Sequence, residues 1–375
     1  MAVHPHHDQF TEMHRNIALG NRALVAIAAH VEVRSVLRAS SALRAHDLDD
    51  VLIGSYARRV SNWPGKDVDV LGRLSAETVD TMSPDVAYGM FRLALQPFAD
   101  QGRLVPQPRS FKVEFGPGRY PSAEFIRTAA DEYGWGAAQV ARAIAGLDRL
   151  GTEFSVDVVP AVRWDDHYGI PEVGLTVQTG ERYRTGRWRL TSPVRLTEQT
   201  QLRNRSPLVA GVGGFVRTVK AVRQVKSHHL AGMKPSALYF EFILHEGFGA
   251  GAVDGDSWAD LTSSALSYIS DRLRDAHDRP VCDPILNSPY EPAPTAGELN
   301  EAGEVFEQVA RRARFALIAD RCQAAIEWRY VFGGNSKLDR VFPLPPGCRS
   351  TGVEMGAAAA NVATGGTGER AFGDH

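Results

Sequence analysis

The most informative stretch of the chain is GSYARRVSNWPGKDVDVLGRL, residues 54–74. It follows the apolar run DDVLI, which is typical of a short buried strand that ends in a turn at Gly54 and Ser55. The segment KDVDVLGRL predicts a second strand, with Asp67 and Asp69 on one face and valines on the other. Two carboxylates on one strand face repel each other unless a cation neutralises them.

A third acidic residue, Asp157, lies in similar surroundings in the predicted strand EFSVDVVPAV. If that strand lies beside the first, Asp67, Asp69 and Asp157 converge. Converging carboxylates suit Mg²⁺ or Mn²⁺, and two such ions can bind a nucleotide's triphosphate and activate an attacking hydroxyl. The alternative is that these carboxylates only form surface salt bridges to the many arginines. We favour the metal site because Gly54 and Ser55 precede the pair.

The Gly54-Ser55 turn predicts a phosphate-binding position. Glycine lets the backbone approach a ligand closely, and backbone N–H groups at the start of a helix bind phosphate. The Ser55 hydroxyl can add one hydrogen bond. The pair means little alone and becomes informative through its position before Asp67 and Asp69.

Length and composition exclude some classes of protein. At 375 residues the chain is expected to form two lobes. The formal net charge of -2 gives no general affinity for nucleic acid, so any nucleic-acid partner would need a local basic patch. No long basic stripe is present, and the sequence indicates no clear nucleic-acid activator. No apolar run reaches the roughly 18 residues of a membrane span, and MAVHPHHDQF does not resemble a signal peptide. We therefore expect no membrane association.

The cysteine pattern predicts a reducing compartment. Cys282, Cys322 and Cys348 are widely spaced and form no C-x-x-C pair. They are interpreted as reduced thiols in a cytoplasmic protein, with no zinc module.

The predicted strands cluster in the first half of the chain and the predicted helices in the second. This order indicates an α+β lobe followed by a helical lobe. The pattern predicts one long helix or two helices over residues 11–45, a helix from Ser83 to about residue 100 and a strand at RSFKVEF. It further predicts irregular structure over 116–136, weak strand or loop over 160–206, and one long helix over roughly 297–330.

Together, GSYARR, DVDVL and SVDVVPA resemble the nucleotidyltransferase superfamily related to DNA polymerase β. More narrowly, the chain resembles the bacterial cGAS/DncV-like nucleotidyltransferases (CD-NTases, the SMODS family), which make cyclic oligonucleotide second messengers. The second half is similar to that family in FVRTVKAVRQ followed by KPSALYFEFIL, and in the ending IEWRYVFGGNSKLDRVFP. The likeness spans about residues 10–345.

The resemblance implies a polymerase-β-like lobe, a mixed sheet with helices, over residues 1–206 with a long N-terminal helix. It also implies a helical lobe over 207–348. The composition after that lobe, rich in Gly, Ala and Thr, predicts a disordered tail over 349–375. It makes Asp67, Asp69 and Asp157 the metal ligands and catalytic residues for two Mg²⁺ or Mn²⁺ ions, with Gly54 and Ser55 on phosphate. Lys220 and Ser236 would reach the donor triphosphate. From the residues alone, Lys220 could equally lie on a solvated helix face, and Ser236 could equally cap a helix.

Two features depart from the family. A threonine usual a few residues after Gly-Ser is replaced by Val60-Ser61, so either Ser61 substitutes or the contact is absent. About 40 residues separate RSFKVEF from SVDVVP, where a tight hairpin is usual. This insertion, roughly 116–152, could cover the active site or form a surface for a partner.

The resemblance implies a cytoplasmic synthase that joins nucleoside triphosphates into a cyclic di- or trinucleotide in bacterial anti-phage signalling (CBASS). The product would activate a separate effector, and a regulatory protein partner is left open. A second hypothesis is transfer of a nucleotide to an antibiotic, a tRNA end or a protein. A third is a catalytically dead module that binds nucleotides or RNA.

Overall fold

The computed structural model describes residues 6–20, 22–65, 67–116, 119–147, 154–176 and 181–354. The described residues form two compact units, here called the sheet unit (within 18–205 and 282–289) and the helical unit (within 1–17, 206–281 and 290–375). The expected domains were 1–206 and 207–348. The first described residues, 6–17, instead belong to the helical unit.

The first helix, α1 (His7–Asn16), is part of the helical unit. The sheet unit then contains, in chain order, α2 (Arg22–Ala39), α3 (Ser41–Arg44), β1 (Asp49–Ile53), α4 (Gly54–Ala57), β2 (Asp67–Leu74), α5 (Thr78–Thr81), α6 (Pro84–Ala94), α7 (Gln96–Asp100), β3 (Leu104–Pro106), β4 (Phe111–Phe115), α8 (Ala123–Tyr133), α9 (Ala137–Leu147), β5 (Phe154–Trp164), β6 (His167–Leu175), β7 (Arg182–Thr191) and α10 (Pro193–Arg203).

These strands form one mixed sheet in the order β1-β2-β5-β4-β3, with β6 paired to β5 and β7 to β6. β2 and β5 run parallel, whereas the other pairs are antiparallel. The predicted α+β class is confirmed.

The two faces of the sheet differ around the central strands. On one face Val68, Val70, Val156 and Val158 join a large core that includes Phe91 and residues of α2 and α6. On the other face a smaller apolar cluster forms further along the strands; its buried members are Ile53, Leu71, Ala161 and Ile170. Because side chains alternate along a strand, the aspartates share this second face.

The helical unit contains, besides α1, a short hairpin of β8 (Leu208–Val209) and β9 (Val212–Gly213), then α11 (Gly214–His229), α12 (Ala237–Gly249), α13 (Trp258–Asp275), α14 (Ala296–Ile318) and α15 (Arg321–Phe332). No described helix is both long and apolar enough to cross a membrane.

Two predictions of local structure were wrong, and a third was incomplete. The expected helix over 297–330 is two helices, because the Asp320 side chain accepts hydrogen bonds from the Cys322 and Gln323 amides and begins α15. The segment 116–136 contains α8, which Ser122 caps. In the segment 160–206 the expected strand character is confirmed by β6 and β7, but the prediction missed α10, which begins with proline at its first position.

The prediction of three free thiols was also wrong. A disulfide joins Cys322 to Cys348, with 5.3 Å between their Cα atoms, while Cys282 is not disulfide-bonded. The segment after α15 folds back to this helix, a contact that a separation of 26 residues does not reveal. Cysteine usage therefore gives no support to a reducing compartment. Of the tail expected from residue 349, residues 349–354 form a turn that the Arg349 amide closes on the Val353 carbonyl; the rest lies outside the described residues.

Candidate active site

β2 and β5 bring two of the aspartates side by side. Their parallel register pairs Asp69 directly with Asp157, and Asp67 with Ser155. Adjacent strands lie about 4.8 Å apart, and paired residues direct their side chains to the same face. Asp67 stands two residues before Asp69 on that face. Strands some 90 residues apart in sequence thus bring their carboxylates to one edge of the small apolar cluster.

Gly54 lies against the Asp69 carboxylate. It follows Ile53, which pairs with Asp69 across β1 and β2. Its φ is +72°, and a Cβ placed on it would lie 1.8 Å from Asp69 Oδ2. Only glycine meets both conditions, a left-handed backbone and direct approach to a carboxylate. The predicted turn therefore touches the predicted metal ligand.

Ser55 and Ser61 form the rest of this turn. Their hydroxyl oxygens are 2.8 Å apart, and the Val60 amide donates to the Ser55 carbonyl. Ser61 is buried, and it lines a small pocket together with Asp67 and Tyr56. Ser61 thus stands where the resemblance expects a threonine, within hydrogen-bonding distance of Ser55.

Asp157 is the electrostatically strained member of the set. Burial, and to a smaller extent the nearby Asp67 charge, raise its pKa to about 6, although a hydrogen bond with Ser155 and the Lys112 charge act in the opposite direction. One of its oxygens, Oδ1, is buried without a hydrogen-bond partner among the described residues. A buried carboxylate oxygen without a partner is costly unless a proton or a cation meets it.

Sequence reasoning missed Lys112 and Ser155 as neighbours of Asp157. Lys112 on β4 pairs with Asp157 on β5, and its ammonium group donates to Glu114 at 2.9 Å. The alternation in FKVEF predicted the strand. The contact between Lys112 and Asp157 depends on the pairing of that strand with β5, which the local sequence pattern does not reveal.

The chemistry of this set fits a hard divalent cation. The donors are carboxylate oxygens, which Mg²⁺ and Mn²⁺ prefer, and the orphaned Oδ1 of Asp157 offers one ligand. As the side chains stand, no three or more histidine, cysteine or acidic side chains of the described residues form a ready metal-binding group. The metal site therefore stays a prediction, which rests on the presence of three carboxylates on one face of the sheet.

Lys220 and Ser236 lie in the helical unit, whereas Gly54, Ser55, Asp67, Asp69 and Asp157 lie in the sheet unit. Lys220 is half-buried on α11. Ser236 caps α12 by accepting from the Tyr239 amide at 3.4 Å, and its hydroxyl lies 2.6 Å from the Tyr290 hydroxyl. The capping alternative is thus observed. Contact of either residue with triphosphate stays a prediction. Tyr290 is a neighbour of Ser236 that the sequence did not indicate.

Solved structures share this fold over most of the chain. CdnC of E. coli MS115-1, in a complex with HORMA-deltaN, matches with a TM-score of 0.57 at 16% identity, covering 88% of this chain and 98% of CdnC. The CD-NTase CdnG of Bradyrhizobium diazoefficiens, in complex with GTP, has a TM-score of 0.57 at 12% identity, covering 84% and 93%. The c-UMP-AMP synthase CdnE of Rhodothermus marinus, with Apcpp and Upnpp, has a TM-score of 0.51 at 12% identity, covering 81% and 95%.

The chain has the nucleotidyltransferase fold of the cGAS/DncV-like proteins. More narrowly, the fold is that of the CD-NTases. The motifs GSYARR, DVDVL and SVDVVPA, together with FVRTVKAVRQ, KPSALYFEFIL and the ending IEWRYVFGGNSKLDRVFP, predicted this. No protein-family model and no curated protein sequence matches the chain. The likeness is therefore one of fold.

Proposed function

We propose that this chain belongs to the CD-NTase family and joins nucleoside triphosphates into a cyclic di- or trinucleotide with release of pyrophosphate. One observation carries the proposal: the β2–β5 register sets Asp69 beside Asp157 on the face that also bears Asp67. The Gly54 backbone lies against the same Asp69 carboxylate. The turn proposed to bind phosphate therefore lies directly beside the three carboxylates proposed to bind metal.

In the proposed site, Asp67, Asp69 and Asp157 hold two Mg²⁺ or Mn²⁺ ions. Bound there, the ions would neutralise the triphosphate and polarise the reacting phosphate. Gly54 allows the phosphate chain to approach the backbone, and the Ser55 hydroxyl donates to it, with Ser61 positioning Ser55. Lys220 and Ser236 are proposed to contact the donor triphosphate.

The reaction is an in-line displacement at the donor α-phosphate. The acceptor hydroxyl would lose its proton near one bound ion, with Asp157 assisting. The hydroxyl oxygen forms a bond to the α-phosphorus, and the bond from that phosphorus to the α–β bridging oxygen breaks. Pyrophosphate leaves with the bonding electrons. Repetition on the linear intermediate closes the ring.

The biological setting is also part of the proposal. Cyclic products imply a separate effector that binds them, in anti-phage defence within a bacterial cytoplasm. A protein partner is proposed because CdnC, of similar fold, was solved in a complex with HORMA-deltaN.

The test is direct. The purified protein is incubated with the four nucleoside triphosphates and Mg²⁺ or Mn²⁺, and the products are analysed by mass spectrometry. The proposal predicts a cyclic oligonucleotide with the wild type. The product should vanish with Asp67→Asn/Asp69→Asn, whose side chains are nearly isosteric and cannot ligate metal as anions.

The other hypotheses predict different outcomes. A product only when an aminoglycoside, tRNA or protein acceptor is added would favour nucleotide transfer to that acceptor. Triphosphate binding without turnover under every metal condition, unchanged by Asp67→Asn/Asp69→Asn, would favour the binding module.

A further inference from the structure

The exposed side of α14, here called its outer face, divides into an acidic half and a basic, apolar half. Its exposed residues recur mainly at steps of three and four, which places them on one side of the helix. Those used below are Gly297, Glu304, Glu307, Arg311, Phe315 and Ile318. The opposite side of α14 packs against α13 and α15. The outer face is therefore the side of this helix that does not pack within the helical unit.

Two large apolar side chains lie next to each other at the end of this face. Ile318 is 84% exposed and Phe315, one turn before it, is 48% exposed. Single exposed apolar side chains are common on protein surfaces, whereas an adjacent pair on one helix face can serve as a contact surface. Burial of this pair against another apolar surface would be favourable.

The charges of the outer face are not used within the unit. On the flank of the helix, Arg312 donates to the Glu327 carboxylate of α15 at 2.9 Å. By contrast, Arg311, Glu304 and Glu307 form no side-chain ion pair with any residue that the structure describes. These three charges are exposed and available to a binding partner.

The two halves of the face match each other when two copies of α14 lie antiparallel. With a twofold axis just after Glu307, Arg311 of one copy lies opposite Glu304 of the other. The same axis sets Ile318 opposite Gly297, where an added Cβ would meet nothing within 4 Å. By symmetry each pairing occurs twice. Each arginine thus faces a carboxylate, and each bulky apolar end faces an open first turn.

We propose that the outer face of α14 is a homodimer interface, in which two copies of the chain pair antiparallel along this helix. The 23 residues of α14 span about 34 Å. A contact between two such helices buries less than the roughly 1,600 Å² of a standard interface, so the dimer is weak and forms at micromolar concentrations or above. The inference concerns the helical unit alone and does not depend on the proposed function.

Sedimentation velocity of the purified protein over low to high micromolar concentrations tests the interface. We expect the mass to rise with concentration from the 40.9 kDa of one chain towards twice that value. Ile318→Glu places a charge in the apolar contact, and Arg311→Glu sets two carboxylates opposite each other. Each should weaken dimerisation about tenfold or more. Val353→Glu is the matched control at an apolar site outside α14 that is 59% exposed, and it should change the dissociation constant less than about twofold.

A charge swap separates pairing from folding. Glu304→Arg alone should also weaken the dimer, whereas Glu304→Arg/Arg311→Glu restores opposite charges across the axis and should recover it. An equimolar mixture of Glu304→Arg and Arg311→Glu should form a heterodimer for the same reason.

Three results would overturn the inference. The first is a wild type that is monomeric at every concentration, which would indicate that the face contacts a different protein. The second is a dimer that persists in both Ile318→Glu and Arg311→Glu, or that Val353→Glu weakens as much as they do. The third is a charge swap that gives neither recovery in the double variant nor a heterodimer in the mixture.

Discussion

At Gly54 the backbone comes so close to the Asp69 carboxylate that an added methyl group would overlap it. The sequence indicated this residue through its place before the acidic pair. The geometry adds a reason that the motif alone does not contain: a positive φ of +72° and a carboxylate in direct contact. The requirement for glycine is thus partly conformational and partly steric.

Gly54→Ala should lower nucleotidyl-transfer activity by about a hundredfold or more, since displacement of a reacting group by about 1 Å has that effect. The matched control is Gly102→Ala. Gly102 also has a positive φ, +62°, but a Cβ there would meet nothing within 4 Å. Both variants should lose about 1–2 kcal/mol of stability through left-handed strain. Equal activity of the two variants would show that the contact with Asp69 is irrelevant.

His30 makes stability depend on pH. Its ring is fully buried on α2, near Tyr56 and Tyr133, and neither ring nitrogen has a hydrogen-bond partner among the described residues. Burial, and to a smaller extent the Arg34 charge, lower its pKa to about 3, although the Asp50 charge acts in the opposite direction. Below about pH 6.5 the unfolded chain takes up a proton that folded His30 does not. Stability is therefore complete above pH 6.5 and is lost as the pH falls towards 3.

Urea unfolding of the wild type between pH 7.5 and 5 should show this loss, with a slope from His30 of up to about 1.4 kcal/mol per pH unit. His30→Leu should flatten the curve by up to that amount. Parallel curves for the two proteins would contradict this account of His30.

At the scale of elements, the insertion between β4 and β5 packs on α2. Ile126 and Ala129 of α8 and Ala143 of α9 form a separate small core with Ala28 and Val31 of α2. The sequence left open whether this segment covers the active site or forms a partner surface. Its described part is a helical layer on the outside of α2, with Tyr133 40% and Ile144 42% exposed.

Ile126→Ala should destabilise the sheet unit by about 2–5 kcal/mol, because Ile126 is fully buried in that small core. Ile144→Ala, the same substitution at an exposed site, should change stability by less than about 0.5 kcal/mol. Denaturant unfolding measures both. Similar effects of the two variants would mean that the insertion does not pack on α2 in this way.

The disulfide ties the segment after α15 to that helix. Closing a loop of this length typically contributes about 2–4 kcal/mol. Cys348→Ser, or a thiol reductant, should lower the melting temperature, and the reductant should have no further effect on Cys348→Ser. Cys282→Ser, at the cysteine outside the disulfide, is the matched control and should melt within a few degrees of the wild type. An unchanged melting temperature in Cys348→Ser would contradict the bridge.

For the whole molecule, the fold class and the candidate carboxylates could be predicted because they depend on patterns within single segments of the sequence. Alternation in KDVDVLGRL and EFSVDVVPAV places each aspartate opposite valines on its own strand. That β2 and β5 are neighbours follows from the resemblance, because no local pattern encodes the pairing of strands so far apart.

The rest depended on contacts between distant segments. Lys112 reaches Asp157 through the β4–β5 pairing, Tyr290 reaches Ser236 across 54 residues, and Cys322 pairs with Cys348. The start of α15 at Asp320 was hidden because helical periodicity continues across the break. Sequence periodicity indicates which face of a single helix or strand is buried, whereas each of these features depends on the contact between two segments.

The central claim is that Asp67, Asp69 and Asp157 hold divalent metal together with a triphosphate. The most direct measurement is the affinity for the non-hydrolysable analogue α,β-methylene-ATP, with Mg²⁺ and with EDTA, for the wild type and Asp157→Asn. We predict that Mg²⁺ tightens binding by the wild type at least about tenfold and that Asp157→Asn loses most of this gain. Equal affinity of the wild type with Mg²⁺ and with EDTA, or an undiminished Mg²⁺ effect in Asp157→Asn, would contradict the account.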